Sequence, residues 1–247
     1  ERIRLSENPE SIPLSTFTLC KKLKKIVFRG VVSSIASKAF WGCENLTEIE
    51  LSDNLVTVDM SAFLNCASLK TIRIPKFVSN IIPAGVDFED VTVDPDNKKY
   101  YSQNNCILTK ADNVIINGGA YSTIPETAVA IGDSAFNGSA IKSVVIPSNI
   151  KSLGDNAFKS CNNLEEIVIE NGLEEIKKGV FSRCKNIKSI TIPESVTKIE
   201  DGSFISLCSS LEELKVATAN TVYYSKDDYI LTKTDNTIVA ETVIFRK

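Results

Sequence analysis

Histidine is absent from all 247 residues. That removes at once the commonest general base, the Ser-His and Cys-His nucleophile pairs and the commonest metal ligand. Charge of one sign is missing too: 28 basic against 31 acidic residues leave a net charge of -3. No basic block exists to track a phosphate backbone, so nucleic acid is not an expected partner. No apolar run approaches the roughly 18 residues of a membrane helix, so insertion of this chain into a membrane is not expected. The first residues, Glu1-Arg2-Ile3-Arg4, carry no charged-then-apolar signal pattern. The chain therefore reads as a soluble piece, and any export signal or anchor is expected before residue 1. No CxxC pair occurs among the 7 cysteines, which with the missing histidine argues against zinc. Asp94-Pro95-Asp96-Asn97 lacks the spacing and terminal Glu of a calcium loop and reads as a turn. No metal or cofactor is expected.

What the chain does have is a period. Phe17, Phe40 and Phe63 are 23 apart, Phe136 and Phe158 are 22 apart, and Phe158, Phe181 and Phe204 are again 23 apart. Around each ring one frame recurs: a Cys three residues on, a Leu three later, then two aliphatic residues flanking a variable one, as in Phe63, Cys66, Leu69, Ile72, Ile74, Pro75. Alternation across Ile72-Arg73-Ile74 is that of a half-buried strand, and Pro75, Pro147 and Pro193 follow such strands where a missing N–H ends the ladder. A second apolar pair, Val78 and Ile81 or Val196 and Ile199, supplies the opposite wall. A fixed period in the 20s with this frame predicts stacked coils that bury their apolar face only against neighbours. The expected fold is an α/β-type repeat solenoid, β-rich: a right-handed leucine-rich-repeat solenoid of about eight 23-residue coils with a concave parallel sheet. Coils begin near residues 17, 40, 63, 86, 136, 158, 181 and 204, after an earlier partial coil through Ile3, Leu5 and Ile12.

A larger unit is superimposed. Tyr100-Tyr101-Ser102 and Ile107-Leu108-Thr109-Lys110 return as Tyr223-Tyr224-Ser225 and Ile230-Leu231-Thr232-Lys233, displaced by 123 residues. Short β-prone runs around Gln103-Asn104-Asn105 and Ala111-Asp112-Asn113, and around Lys226-Asp227-Asp228 and Thr234-Asp235-Asn236, predict two β-hairpin insertions that project from the solenoid wall. The division is one repeat domain over 1–247: a first block at 1–93, a hairpin insertion at 94–121, a second block at 122–216 and a second hairpin at 217–247.

Six cysteines, Cys20, Cys43, Cys66, Cys161, Cys184 and Cys208, hold one place in their coils and predict a buried column of small side chains. Coils about 5 Å apart would also bring neighbouring thiols within disulfide reach under oxidation. Cys106 reads as a partly buried strand residue, matched by Tyr229 in the second hairpin. The carboxylate pairs Glu165-Glu166, Glu174-Glu175 and Glu212-Glu213 are contiguous and point to opposite faces of a strand, and Glu48 with Glu50 reads as a solvated rim. No catalytic residue is assigned, and the chain is not expected to be an enzyme.

The row of outward strand positions is the face most able to bind. Its central column reads Val27, Glu50, Arg73, Thr92, Val145, Val168, Thr191, Lys215, beside Lys25, Glu48, Thr71, Asp90, Ser143, Glu166, Ser189, Glu213. Aromatic anchors, frequent at protein interfaces, are missing from both columns and gather at Tyr100, Tyr101, Tyr121, Tyr223, Tyr224 and Tyr229. Candidate partner contacts are therefore the hairpin tyrosines Tyr100, Tyr101, Tyr223, Tyr224 and Tyr229, with the sheet positions Glu50, Arg73, Thr92, Val145, Val168, Thr191 and Lys215.

Segments such as Ile190-Thr191-Ile192-Pro193-Glu194-Ser195-Val196-Thr197-Lys198-Ile199 and Ile131-Gly132-Asp133-Ser134-Ala135-Phe136 resemble the BspA-type leucine-rich repeats, over nearly the whole chain. The resemblance implies an exported, non-catalytic scaffold, secreted or displayed on the surface of host-associated bacteria. It implies adhesion or recognition of a host matrix or other cell-surface protein, and transfers no ligand, since the repeats define a shape and not a site. Surface carbohydrate capture is the alternative. A monomer is expected.

Overall fold

A computed structural model of the chain describes residues 9–28, 31–227 and 229–241. Ile3, Leu5 and Asp228 lie outside the described residues. The chain divides into two compact units, Glu1–Asp112 with Ile116–Ser122, and Asn113–Ile115 with Thr123–Lys247.

In the first unit the predicted outward strands are Lys25–Val27, Glu48–Glu50, Thr71–Ile74 and Asp90–Val93. They pair in parallel with the expected register, Val27 opposite Glu50 and Arg73 opposite Thr92. The wall strands Ser11–Ile12, Ser34–Ile35, Thr57–Asp59 and Asn80–Ile82 form a four-stranded parallel sheet in which Ile12, Ile35, Val58 and Ile81 line up. The second unit repeats this plan. Its outward strands are Ser143–Ile146, Glu166–Ile169, Ser189–Ile192 and Glu213–Val216, with Val145 opposite Val168 and Thr191 opposite Lys215. Its wall strands are Ala130–Ile131, Ser152–Leu153, Glu175–Ile176 and Lys198–Ile199, joined in parallel.

No α-helix occurs among the described residues. Each step around the Phe is a tight turn, with 3₁₀ geometry at Met60–Phe63 and Gly202–Ile205, where Asp59 and Asp201 accept from the N–H of Ser61 and Ser203. The residue before each column Cys takes positive φ, at Leu19, Gly42, Asn65, Ser160, Arg183 and Leu207, and Gly138 takes it before Ser139, which stands at the Cys position of its coil. That conformation turns the chain back into the sheet and favours small or polar residues. The Phe amides bond from coil to coil: Phe40 to Ala62 O at 3.0 Å, Phe136 to Ala157 O and Phe158 to Val180 O both at 2.8 Å.

The rings stack as the period requires. Centroids lie 5.3 Å apart for Phe17 and Phe40, 5.8 Å for Phe40 and Phe63, 4.9 Å for Phe136 and Phe158 and 5.6 Å for Phe158 and Phe181. In the shortened fourth coil Phe88 joins the stack, tilted 59° and 6.2 Å from Phe63. Five of the six column cysteines are buried and Cys20, in the first coil, is half-buried. Their Sγ groups do more than fill space. Cys43, Cys66, Cys161, Cys184 and Cys208 donate to the carbonyl of the Phe one coil back, at 3.0 to 3.1 Å. All seven cysteines are thiols.

The insertions are hairpins, but they do not project. Tyr100–Gln103 and Cys106–Thr109 are antiparallel, and Tyr100, Cys106, Ile107 and Leu108 are buried, so Cys106 is fully covered where partial burial was expected. In the second unit Tyr223–Lys226, Tyr229–Thr232 and Ile238–Glu241 form an antiparallel sheet whose Tyr223, Ile230 and Ala240 are buried. The apolar residues of these strands continue the core, because exposing them would forfeit on the order of 1.5–3 kcal/mol for each large side chain.

A buried asparagine fastens each hairpin. Asn97 donates through Nδ2 to Pro75 O at 3.0 Å and Val78 O at 2.9 Å, while its Oδ1 accepts from the amides of Lys99 at 2.9 Å and Tyr100 at 2.8 Å. Asn220 does the same with Pro193 O, Val196 O and the amides of Val222 and Tyr223. The Nζ of Lys110 and of Lys233 donates to the carbonyl of the same Asn, both at 2.6 Å. The turn expected at Asp94-Pro95-Asp96-Asn97 is present, with Asp94 Oδ1 accepting from Asp96 N. Its last residue is a fully buried keystone.

Candidate binding face

The two units present different outward faces. In the first, opposite charges neutralise one another: Lys25 Nζ lies 2.5 Å from Glu48 and 3.1 Å from Glu50, and Arg73 lies 2.6 Å from Asp94. Both carboxylates hold the Lys25 ammonium above its usual pKa through hydrogen bonds. Such exposed ion pairs contribute little to stability because solvent screens them, so Lys25→Ala should leave the urea midpoint nearly unchanged. Their consequence is a face already paired with itself.

In the second unit the corresponding positions are Ser143, Val145, Glu166, Val168, Ser189, Thr191, Glu213 and Lys215. Lys215 pairs with Glu213 at 2.6 Å. Val145 and Val168 stand directly opposite each other and are 51% and 54% exposed. Parallel pairing of these β-branched side chains therefore sets them side by side as a small exposed apolar strip, with Glu166 on the same face. This is the apolar part of the outward sheet, and the strand backbones beneath hold it rigid.

The hairpin tyrosines separate into two kinds. Tyr100 and Tyr223 are buried; the Tyr100 hydroxyl donates to Ser79 O at 3.2 Å, and the Tyr223 hydroxyl accepts from Ile199 N at 3.0 Å and donates to Thr197 O at 3.4 Å. Both hold hairpin to coil. Tyr101 and Tyr224 are half-buried, the latter donating to Asn236 Oδ1 at 2.7 Å, and Tyr229 and Tyr121 are exposed. The signal that separates the kinds is the residue three places earlier: Asn97 and Asn220 precede the inward tyrosines.

Four buried thiols are not chemically primed. Desolvation pushes the Cys43 thiol up to about 11 and those of Cys66, Cys106 and Cys208 up to about 12. The thiolate is the reactive form, so these groups should resist iodoacetamide at pH 8 in the folded chain and react on denaturation, counted by mass spectrometry. The same shifts fix a stability trend. The folded state keeps protons that the unfolded thiols, near 9.0, release. Stability is therefore full below about pH 9 and declines as pH rises toward about 11–12, checked by urea midpoints against pH. Among the described residues no group of three His, Cys, Asp or Glu could hold a metal ion, and no helix is long and apolar enough to cross a membrane.

A family model described as the BspA type leucine rich repeat region matches the chain in 6 copies, over residues 1–84 and 120–227. Among solved structures, the pneumococcal vaccine antigen PcpA is similar, with a TM-score of 0.63 and 20% identity over 81% of this chain and 52% of that one. A leucine-rich cell surface protein of Faecalibacterium prausnitzii A2-165 gives a TM-score of 0.55 and 25% identity over 82% of this chain and 62% of that one. A leucine-rich repeat protein of Eubacterium ventriosum gives 0.54 and 21% over 86% and 71%. The chain thus spans about half the length of the first of these structures and under two thirds of the second. No curated protein matches it.

Proposed function

Because this chain belongs to the BspA-type leucine-rich repeat family, we propose that it is a non-catalytic binding scaffold, displayed or secreted by a bacterium, that recognises a protein on a host matrix or another cell. The observation that carries this reading is the exposed Val145–Val168 strip on a rigid parallel sheet. Exposed apolar surface rimmed by polar residues marks interaction sites when it is contiguous. The likeness to a cell surface protein of Faecalibacterium prausnitzii supports the location. The outward positions Glu50, Arg73 and Thr92 lie in the first unit's face that pairs with itself and are proposed as a polar contact of that unit, while Thr191 and Lys215 are proposed as the polar positions that accompany the strip in the second unit. Tyr101, Tyr224 and Tyr229 are proposed as a secondary contact, since Tyr100 and Tyr223 are committed to the core.

The test is a panel of immobilised host matrix and serum proteins. Binding to at least one is expected, and a Val145→Asp, Val168→Asp double variant should lose about tenfold or more of that affinity with an unchanged thermal midpoint. Retained affinity in the double variant would remove the strip from the account. Tyr101→Ser with Tyr224→Ser tests the secondary contact in the same assay. A glycan array probed with the same protein distinguishes carbohydrate capture, which predicts binding there and none to the protein panel.

A further inference from the structure

The 123-residue displacement sets two equivalent strands in unequal surroundings. Val114–Ile115 pairs in parallel with Ala130–Ile131, Ile115 opposite Ile131. The incoming coil donates from Val129 N to Asn113 O at 3.1 Å and from Gly132 N to Ile115 O at 2.8 Å. Ile115 is fully buried beneath it. Gly132 is suited to this approach, because a Cβ there would sit 2.9 Å from Ile115 O. Displaced by 123 residues are Asn236, Thr237 and Ile238. Asn113 and Asn236 even share a left-handed φ, 54° and 58°. Yet Ile238–Glu241 is the outer strand of its sheet, and Ile238 is 56% exposed. The sequence keeps an isoleucine at the position that a following coil covers in its counterpart.

We propose that the Asn236–Glu241 edge is the docking edge for a further leucine-rich coil of the same design, supplied by sequence other than residues 1–247. Its first strand would add in parallel, with an aliphatic residue over Ile238 and a free N–H on the next residue to meet Ile238 O, the position Gly132 occupies. Among the described residues, a second copy of this chain does not offer such a coil. At its outermost wall strand, Ser11–Ile12, the residue in that position is Pro13, which has no N–H. In the coils that do stack, Ala36, Gly154, Lys177 and Glu200 each make this bond to the coil before, at 2.8 to 3.1 Å. Among the described residues, the Ser11–Ile12 edge is thus blunted by Pro13, and the Ile238–Glu241 edge carries no such block. The relatives of greater length, of which this chain spans 52% and 62%, contain room for such a coil. The inference does not depend on the function proposed above.

The probe is the same polypeptide continued in register, with residues 118–247 repeated after Ala240, so that a second Ala130–Ile131 reaches the edge at its natural spacing. Ile238→Cys is introduced into both the parent and the continued chain, and alkylation of that thiol is followed by peptide mass. Labelling is expected to be fast in the parent and on the order of 100-fold slower in the continued chain. Ile131→Asp in the added copy alone should restore fast labelling. Equal rates in the two chains would overturn the proposal. An added segment that stays unfolded by hydrogen exchange would also count against it, since the same residues fold against Val114–Ile115. A parent chain that sediments as a dimer and becomes monomeric on Ile238→Asp would assign the edge to a second copy instead, and equally overturn it.

Discussion

Asn97→Ala should lower the unfolding free energy by about 3–5 kcal/mol, as much as a large cavity in the core. The substitution removes one side chain but takes a hydrogen bond from four backbone groups: the carbonyl of Val78, the amides of Lys99 and Tyr100, and the carbonyl of Pro75, which keeps only the Val78 amide at 3.2 Å. Each buried group left without a partner costs about 1–3 kcal/mol. Partial solvation from the neighbouring exposed Lys98 side keeps the total below the sum. Asn97→Asp separates the two halves of the effect. It keeps the acceptor for both amides, removes both donors, and sets a carboxylate against two carbonyl oxygens, so it should be no milder than alanine. Asn220→Ala should behave alike in the second unit, where the four bonds are the same. Urea unfolding of the variants checks this. A loss below about 1 kcal/mol for both alanine variants would mean that the hairpins are not fastened by these side chains.

Phe158→Ala is the second large effect, with an expected cost of about 3–5 kcal/mol. The ring is fully buried between Phe136 at 4.9 Å and Phe181 at 5.6 Å. Its removal leaves a void that stacked backbones cannot close, because each coil is tied to the next by the Phe158 N to Val180 O bond and its equivalents. Phe17→Ala should cost less, since Phe17 has one ring neighbour in its stack and lies at the edge of the core, 9% exposed. In a linear array the stability of a coil depends on its neighbours, so the Phe158 variant should also broaden the urea transition. Equal costs at positions 17 and 158 would show that the column does not act as a stack.

How much of this was legible follows from what repeats and what does not. The spacing of Phe, Cys and the aliphatic pair carried the register residue by residue: Val145 meets Val168 and Arg73 meets Thr92 as read from the sequence. Period alone could do this because each position in a coil has one environment. The shortened fourth coil was harder. Val86 keeps the expected position, but Phe88, two residues on, supplies the ring that continues the stack. The insertions were legible as hairpins from their turns and not as parts of the core. Asn97 sits in Asp94-Pro95-Asp96-Asn97, whose composition is that of an ordinary surface turn. Its recurrence as Asn220, where the flanking residues Ala219 and Thr221 are no longer those of the first turn, was the available sign that the amide has a task of its own. The exposed valine strip was legible as positions but not as a difference between the units. That difference arises from ion pairs in the first unit, which depend on side-chain reach between neighbouring strands.

Native-state hydrogen exchange of the whole chain tests the central claim most directly, namely that hairpin and coil share one interior within each unit. The amides of Tyr100 and Tyr223, held by Asn97 and Asn220, should exchange as slowly as those of the core strands Thr71–Ile74 and Ser189–Ile192. Exchange of these two amides at the rate of an open loop, while the coil strands stay protected, would contradict it.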